Sequence, residues 1–158
     1  MWYGRHFLLP NSQPLLQNLI GERKETEMQT VCLFGASGTM GFWALKVLWN
    51  RRKKYRIVVL LRPSKKNLNL IKPFARQVGL DIVGSNSTIE NEQLKIVWGD
   101  ATNYDDVHKA VIGADWVLNA MAFISPMADY YPEIARAVNV DAIENILKAI
   151  EAGPDGVN

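Results

Sequence analysis

From Thr30 onward the apolar positions switch between two periods. "TVCLFG" is β-branched and apolar and ends in glycine, the pattern of a strand buried on both faces. "TMGFWALKVLWNRR" sets Phe42, Leu45, Leu48 and Trp49 at helical spacing, with Arg51 and Arg52 in the last turn. "YRIVVLL" predicts a second strand. "SKKNLNLIKPFARQVG" predicts a helix opened by Ser64 and ended by Gly79, in which Pro73 implies a kink or a late start. "LKIVWG" is a third strand, and "NYDDVHKAVIGA" a short helix capped by Asn103 and closed by Gly113. "DWVLNAM" is a fourth. "DYYPEIARAVNVDAIENILKAIEAG" reads as one long helix, with Pro132 in its first turn and Ile143, Ile146, Leu147 and Ile150 along one face. Strands alternating with helices predict an α/β fold: a doubly wound parallel sheet with helices on both faces.

Two stretches break the rhythm. "DIVGSNSTIENEQ", Asp81 to Gln93, is polar and rich in turn formers, which predicts an insertion loop with a short strand at its start. Residues 1–28 precede the sheet and read as an extension carrying one short helix, leaving 29–158 as the α/β domain. A chain of 158 residues, 48% hydrophobic, supplies one buried core. Cys32 is the single cysteine, so there is no disulfide framework, and no zinc-type spacing occurs. No apolar run approaches the roughly 20 residues of a membrane span. The first residues lack a secretory pattern, so the expected setting is cytoplasmic, with no membrane partner.

Charge changes the picture more than composition does. Between Phe42 and Leu80 there are eleven basic residues and no acidic one, whereas from Asp81 onward acids outnumber bases thirteen to four. Such asymmetry points to a partner carrying negative charge. The alternative is that Arg51 to Lys54 close a helix, where cations oppose the dipole. Nucleic acid is not expected, because the basic run lacks interleaved stacking aromatics.

Between the first strand and the first helix lies "FGASGTMG", with Gly35, Gly38 and Gly41 spaced three apart. A helix N-terminus offers unpaired N–H groups and partial positive charge, and glycines let a phosphate approach them. In such a cradle Gly35 makes the turn, Gly38 faces the phosphates and Gly41 sits at the helix–strand contact. Ser37, Thr39 and Met40 complete the loop; no Lys-Ser/Thr follows Gly41, which excludes a P-loop. The other reading is a structural turn. At the end of the second strand stands Arg62, followed by Ser64, Lys65 and Lys66, where an acid selective for NAD would sit. A guanidinium there suits the 2′-phosphate of NADP, which favours NADP, with NAD as the alternative; a solvated basic loop is the other reading.

Taken together, "FGASGTMG", "VVLLRPSKK", "WGDATNYDDV", "ADWVLNAMA" and "NVDAIENILKA" resemble the ordered blocks of the extended short-chain dehydrogenase/reductases, which include NAD(P)-dependent epimerases and dehydratases. The resemblance runs from about Gln29 to Ala152 and implies a Rossmann-type domain. It implies that Asp100, backed by Ala101, bonds the adenine amino group. It also implies that Ala120, Met121 and Ala122 pass beneath the cofactor's ribose and pyrophosphate, although Met121 is bulkier than the family's usual residue. Asn139 matches the helix Asn that steadies the fourth strand; an ordinary helix polar residue is the alternative.

The family's proton-exchanging Tyr-x-x-x-Lys pair has no counterpart: four residues after Tyr3, Tyr55, Tyr104, Tyr130 and Tyr131 stand Phe7, Val59, His108, Ile134 and Ala135. The expectation is the cofactor-binding portion of a longer oxidoreductase or epimerase, ending in a loop after the fourth strand and its helix. Its small-molecule substrate would be met only with the missing part, and a homo-oligomer fits the family. The alternative is a non-catalytic NADP-binding sensor or regulator. His108 is expected to face solvent, Cys32 to be buried and inert, and Trp43, Trp49, Trp98 and Trp116 to serve packing.

Overall fold

The computed structural model describes residues 28–153; the helix expected in the extension and the loop expected after Gly153 lie outside them. The four apolar runs form β1 (Gln29–Phe34), β2 (Tyr55–Leu61), β4 (Leu94–Trp98) and β5 (Trp116–Asn119), all mutually parallel. With the short β3 (Ile89–Glu90) they make one sheet in the order β3-β4-β2-β1-β5. The helices are α1 (Thr39–Asn50), α2 (Lys65–Gln77), α3 (Tyr104–Val111), α4 (Met127–Tyr130), α5 (Pro132–Arg136) and α6 (Ala142–Ala152).

The continuous apolar character of β1 follows from its place in the middle of the sheet. Val31 and Leu33 face Leu45, Leu48 and Trp49 of α1 and Ile71 of α2, while Cys32 and Phe34 face Val107 of α3 and Ile146 of α6. Neither face meets water, so neither face needs a polar residue.

Ser64 opens α2 as expected: its Oγ accepts from the Asn67 amide at 3.1 Å. Buried Asn67 in turn donates from Nδ2 to the Arg62 carbonyl at 2.8 Å, tying the end of β2 to the helix start. The helix begins directly at this cap, so Pro73 causes no late start. Replacing Ser64 by Ala should cost about 1 kcal/mol in a urea titration, the usual loss of a cap.

Three expectations are corrected. The short strand of the Asp81–Gln93 insertion lies at its end, not its start, and pairs antiparallel with β4. There Asn91 Oδ1 accepts from the amides of Gln93 and Leu94, forming the reversal, and Glu90 pairs with Arg56 at 2.6 Å. The long helix is not continuous: it breaks at Tyr131, resumes at Pro132, and passes through a π-helical turn at Ala137–Asp141 before α6. α6 buries Ala142, Ile146 and Ala149 against α3, whereas Ile143, Leu147 and Ile150 are exposed. Finally, Trp49 is buried and Trp98 packs against the core, but Trp43 and Trp116 are exposed, on the outer side of α1 and on edge strand β5.

Candidate functional site

At the end of β1 the chain turns through Gly35, whose φ of +80° disfavours any residue with a side chain. A Cβ there would lie 2.6 Å from the Ala120 carbonyl carbon, so the turn also lets β1 and the segment after β5 approach closely. The Gly38 amide donates to the Gly35 carbonyl at 2.9 Å, and the Phe42 amide donates to Gly38 at 2.8 Å, starting the α1 ladder. No side chain caps α1, so the amides of Thr39, Met40 and Gly41 have no acceptor among the described residues. A Cβ on Gly41 would run into the Gly35 carbonyl, so this glycine lets α1 sit directly on the turn. A Cβ on Gly38 would make only an ordinary contact, 3.4 Å from Gly35 O.

A cavity of about 220 Å³ opens beside this loop, at the carboxyl ends of the strands. Gly35, Ser37 and Gly38 form one wall, and Leu60 with Arg62 at the end of β2 a second. A third comes from Asp100, Ala101 and Thr102 after β4, and a fourth from Ala120, Met121, Ala122 and Phe123 after β5. Arg62 is exposed, and its side chain makes no ion pair among the described residues.

Asp100 is held firmly. Its Oδ1 accepts from the Thr102 amide at 2.9 Å and the Thr102 hydroxyl at 2.8 Å, and its own amide donates to Asp106 Oδ2 at 3.1 Å. Asp106 sits against Gly99, where a Cβ would strike its carboxylate, and pairs with Lys109 at 3.5 Å. Asn103 caps α3 as expected, its Oδ1 accepting from the amides of Asp105 and Asp106. The segment after β5 is fixed by Asn139 in the π-helical turn. Its Oδ1 accepts from the Phe123 amide at 2.9 Å, and its Nδ2 donates to the Phe123 carbonyl at 2.8 Å.

The site residues expected from the sequence fall into three groups. Gly35, Ser37, Gly38, Arg62, Asp100, Ala101, Ala120, Met121 and Ala122 converge on one cavity. Asn139 braces its wall from outside, while Gly41 is buried behind the loop. Thr39 faces a second groove between α1 and α2, Met40 is exposed, Ser64 is spent on its cap, and Lys66 lies exposed on α2 without lining the cavity. Leu60, Thr102, Phe123 and Val138 also line it and were not anticipated. Of these, Thr102 was readable: an Asp followed two positions later by Thr is a turn that bonds its own backbone.

Two lone residues resolve differently. Cys32 is buried, and burial pushes its thiol up to about 12 from the ordinary 9.0, with nearby Lys95 opposing that rise. It should resist iodoacetamide in the folded chain and react on unfolding. Because the folded pKa is the higher one, its linkage contribution is intact below pH 9.0 and is lost as pH climbs towards 12. His108, expected to face solvent, is half-buried and stacked on Tyr104, with Nε2 enclosed and unpartnered. Among the described residues no group of three or more His, Cys, Asp or Glu could hold a metal, and no helix is long and apolar enough to cross a membrane.

No family model matches the chain. A UDP-glucose 4-epimerase of Rickettsia canadensis is 39% identical over 62 residues, which is 39% of this chain and 18% of that protein. The matched stretch thus spans about a fifth of the relative. Among solved structures, Pen from Bacillus thuringiensis superposes with a TM-score of 0.64 at 24% identity, over 80% of this chain and 35% of that one. A Brucella melitensis short-chain dehydrogenase/reductase of the glucose/ribitol dehydrogenase type superposes with a TM-score of 0.56 at 20% identity, over 79% of this chain and 51% of that one. The fold is thus Rossmann-type. These likenesses show the fold, and the likeness to an epimerase is confined to the 62 matched residues.

Proposed function

We propose that this chain is the dinucleotide-binding part of an extended short-chain dehydrogenase/reductase and that it takes NADP in preference to NAD. The observation that carries the reading is the set of uncapped amides at Thr39, Met40 and Gly41, beside a cavity walled by Arg62. Unpaired N–H groups and the positive end of a helix suit a diphosphate, and Gly38 leaves the approach open. At the end of β2, Arg62 supplies a cation where an NAD-selective carboxylate would repel a 2′-phosphate. Asp100 keeps Oδ2 clear of the Thr102 bonds, so it can accept from an amino group such as that of adenine.

When bound, the cofactor supplies or receives a hydride. The residues of this chain bind and orient it, and Asn139 keeps the wall after β5 in register. The reaction we assign to the whole protein is hydride transfer at a carbinol or carbonyl carbon of a small or nucleotide-linked substrate. Without Tyr-x-x-x-Lys here, proton exchange with the substrate oxygen falls to residues beyond this chain. The cavity is smaller than the roughly 300–1,000 Å³ of complete ligand pockets, so further enclosure is assigned to the same source.

Thermal melting in the presence of each cofactor tests the reading. NADPH should raise the melting temperature more than NADH at equal concentration, since a ligand held only by the folded state stabilises it. A larger rise with NADH would overturn the NADP assignment, and no rise with either would overturn dinucleotide binding.

A further inference from the structure

Apart from Arg62, the basic residues of the chain's strongest charge asymmetry take no part in the cavity described above. All eleven charged residues between Phe42 and Leu80 are basic, and α1 and α2 pack on the same side of the sheet. Arg56 is neutralised by Glu90. Lys46, Lys65, Lys66, Lys72 and Arg76 of the two helices have no carboxylate at ion-pair distance among the described residues. Helix electrostatics do not account for them all. Lys65 and Lys66 open α2, which has no acid in its first turn, and a cation there opposes the macrodipole.

Apolar surface is exposed on the same side. Met40, Trp43 and Val47 stand at i, i+3 and i+7 on α1 and are 74%, 60% and 48% exposed. Beside Trp43 the two helices enclose a groove of about 570 Å³ walled by Phe42, Leu70, Pro73 and Phe74. The Lys46 ammonium lies 4.6 Å from the Phe42 ring and 4.7 Å from that of Trp43, which brings a cation to the groove.

We propose that the α1–α2 face docks an acidic polypeptide segment, with one bulky apolar side chain entering the groove and carboxylates meeting the surrounding lysines. An apolar stripe beside a groove is the arrangement that receives an amphipathic helix, and the cations select an acidic one. A base-stacking surface fits less well. Phe42 meets Phe74 edge-on at 6.2 Å, and Lys46 already occupies the neighbourhood of Phe42 and Trp43. A bilayer is flat, whereas this site is concave.

The test is fluorescence anisotropy on the full 158-residue chain. The probe is a labelled helical peptide with leucines at i, i+3, i+4 and i+7 and Glu or Asp elsewhere. Comparison probes are its scrambled counterpart, vesicles of phosphatidylcholine and phosphatidylserine, and a single-stranded oligonucleotide. The amphipathic peptide should bind saturably and at least tenfold more tightly than the scrambled one. Trp43→Glu and, separately, Lys46→Glu with Lys72→Glu should each weaken it at least tenfold while leaving the NADPH-induced melting shift intact. Two independent variants keep the test decisive should one fail to fold. Absent saturation, equal affinity for the scrambled peptide, wild-type affinity in a folded variant, or tighter binding to vesicles or oligonucleotide would each overturn the proposal.

Discussion

Gly41→Ala should lower the melting temperature by about 10 °C, corresponding to roughly 3 kcal/mol at the upper end of over-packing losses. The new methyl meets the Gly35 carbonyl, a backbone group that cannot rotate away as a side chain would. Relief requires moving α1 off β1, and Leu45, Leu48 and Trp49 would lose contact with the core. Gly38→Ala provides the contrast. Its methyl makes only an ordinary contact, so stability should change little, yet Gly38 lines the cavity and NADPH binding should weaken. Differential scanning calorimetry without ligand and then with NADPH separates the two effects. Equal stability of the two variants would contradict the close-approach role given to Gly41.

Arg62→Asp should weaken NADPH binding by roughly ten- to hundredfold, the range expected on losing a hydrogen bond to a charged group. It should also leave NADH binding unchanged or improved, because a carboxylate at the end of the second strand suits a ribose hydroxyl. Arg62 is exposed and its guanidinium makes no ion pair among the described residues, so stability should barely move. Its carbonyl accepts from Asn67, a main-chain contact that the substitution preserves. Titration of both cofactors by isothermal calorimetry decides the matter, and unchanged preference would remove Arg62 from the site.

Which features were legible in the sequence follows from how local their causes are. Strands β1, β2 and β4 were readable because burial on both faces writes itself as unbroken apolar runs, and β5 because its short run is apolar although it lies exposed at the sheet edge. The caps at Ser64 and Asn103 were readable because each acts within three residues. The convergence of Gly38, Arg62, Asp100 and Ala120 was readable because a parallel sheet brings the ends of its strands to one side. The break at Tyr131 and the π-helical turn were not. They depend on Asn139 reaching the loop at Phe123, sixteen residues away in sequence. The face of α6 was misassigned because its larger apolar residues Ile143, Leu147 and Ile150 stand exposed, while the small Ala142 and Ala149 pack with Ile146 against α3. Trp43 and Trp116 misled because aromatic size suggests burial, whereas exposure depends on which side of an element lacks a neighbour.

The uncapped start of α1 can be examined most directly by following individual amide resonances of the ¹⁵N-labelled chain during titration with NADPH. The amides of Thr39, Met40 and Gly41 should shift downfield together and saturate with the Arg62 and Asp100 signals. Saturable binding that leaves those three unmoved, or no perturbation at all, would contradict the account.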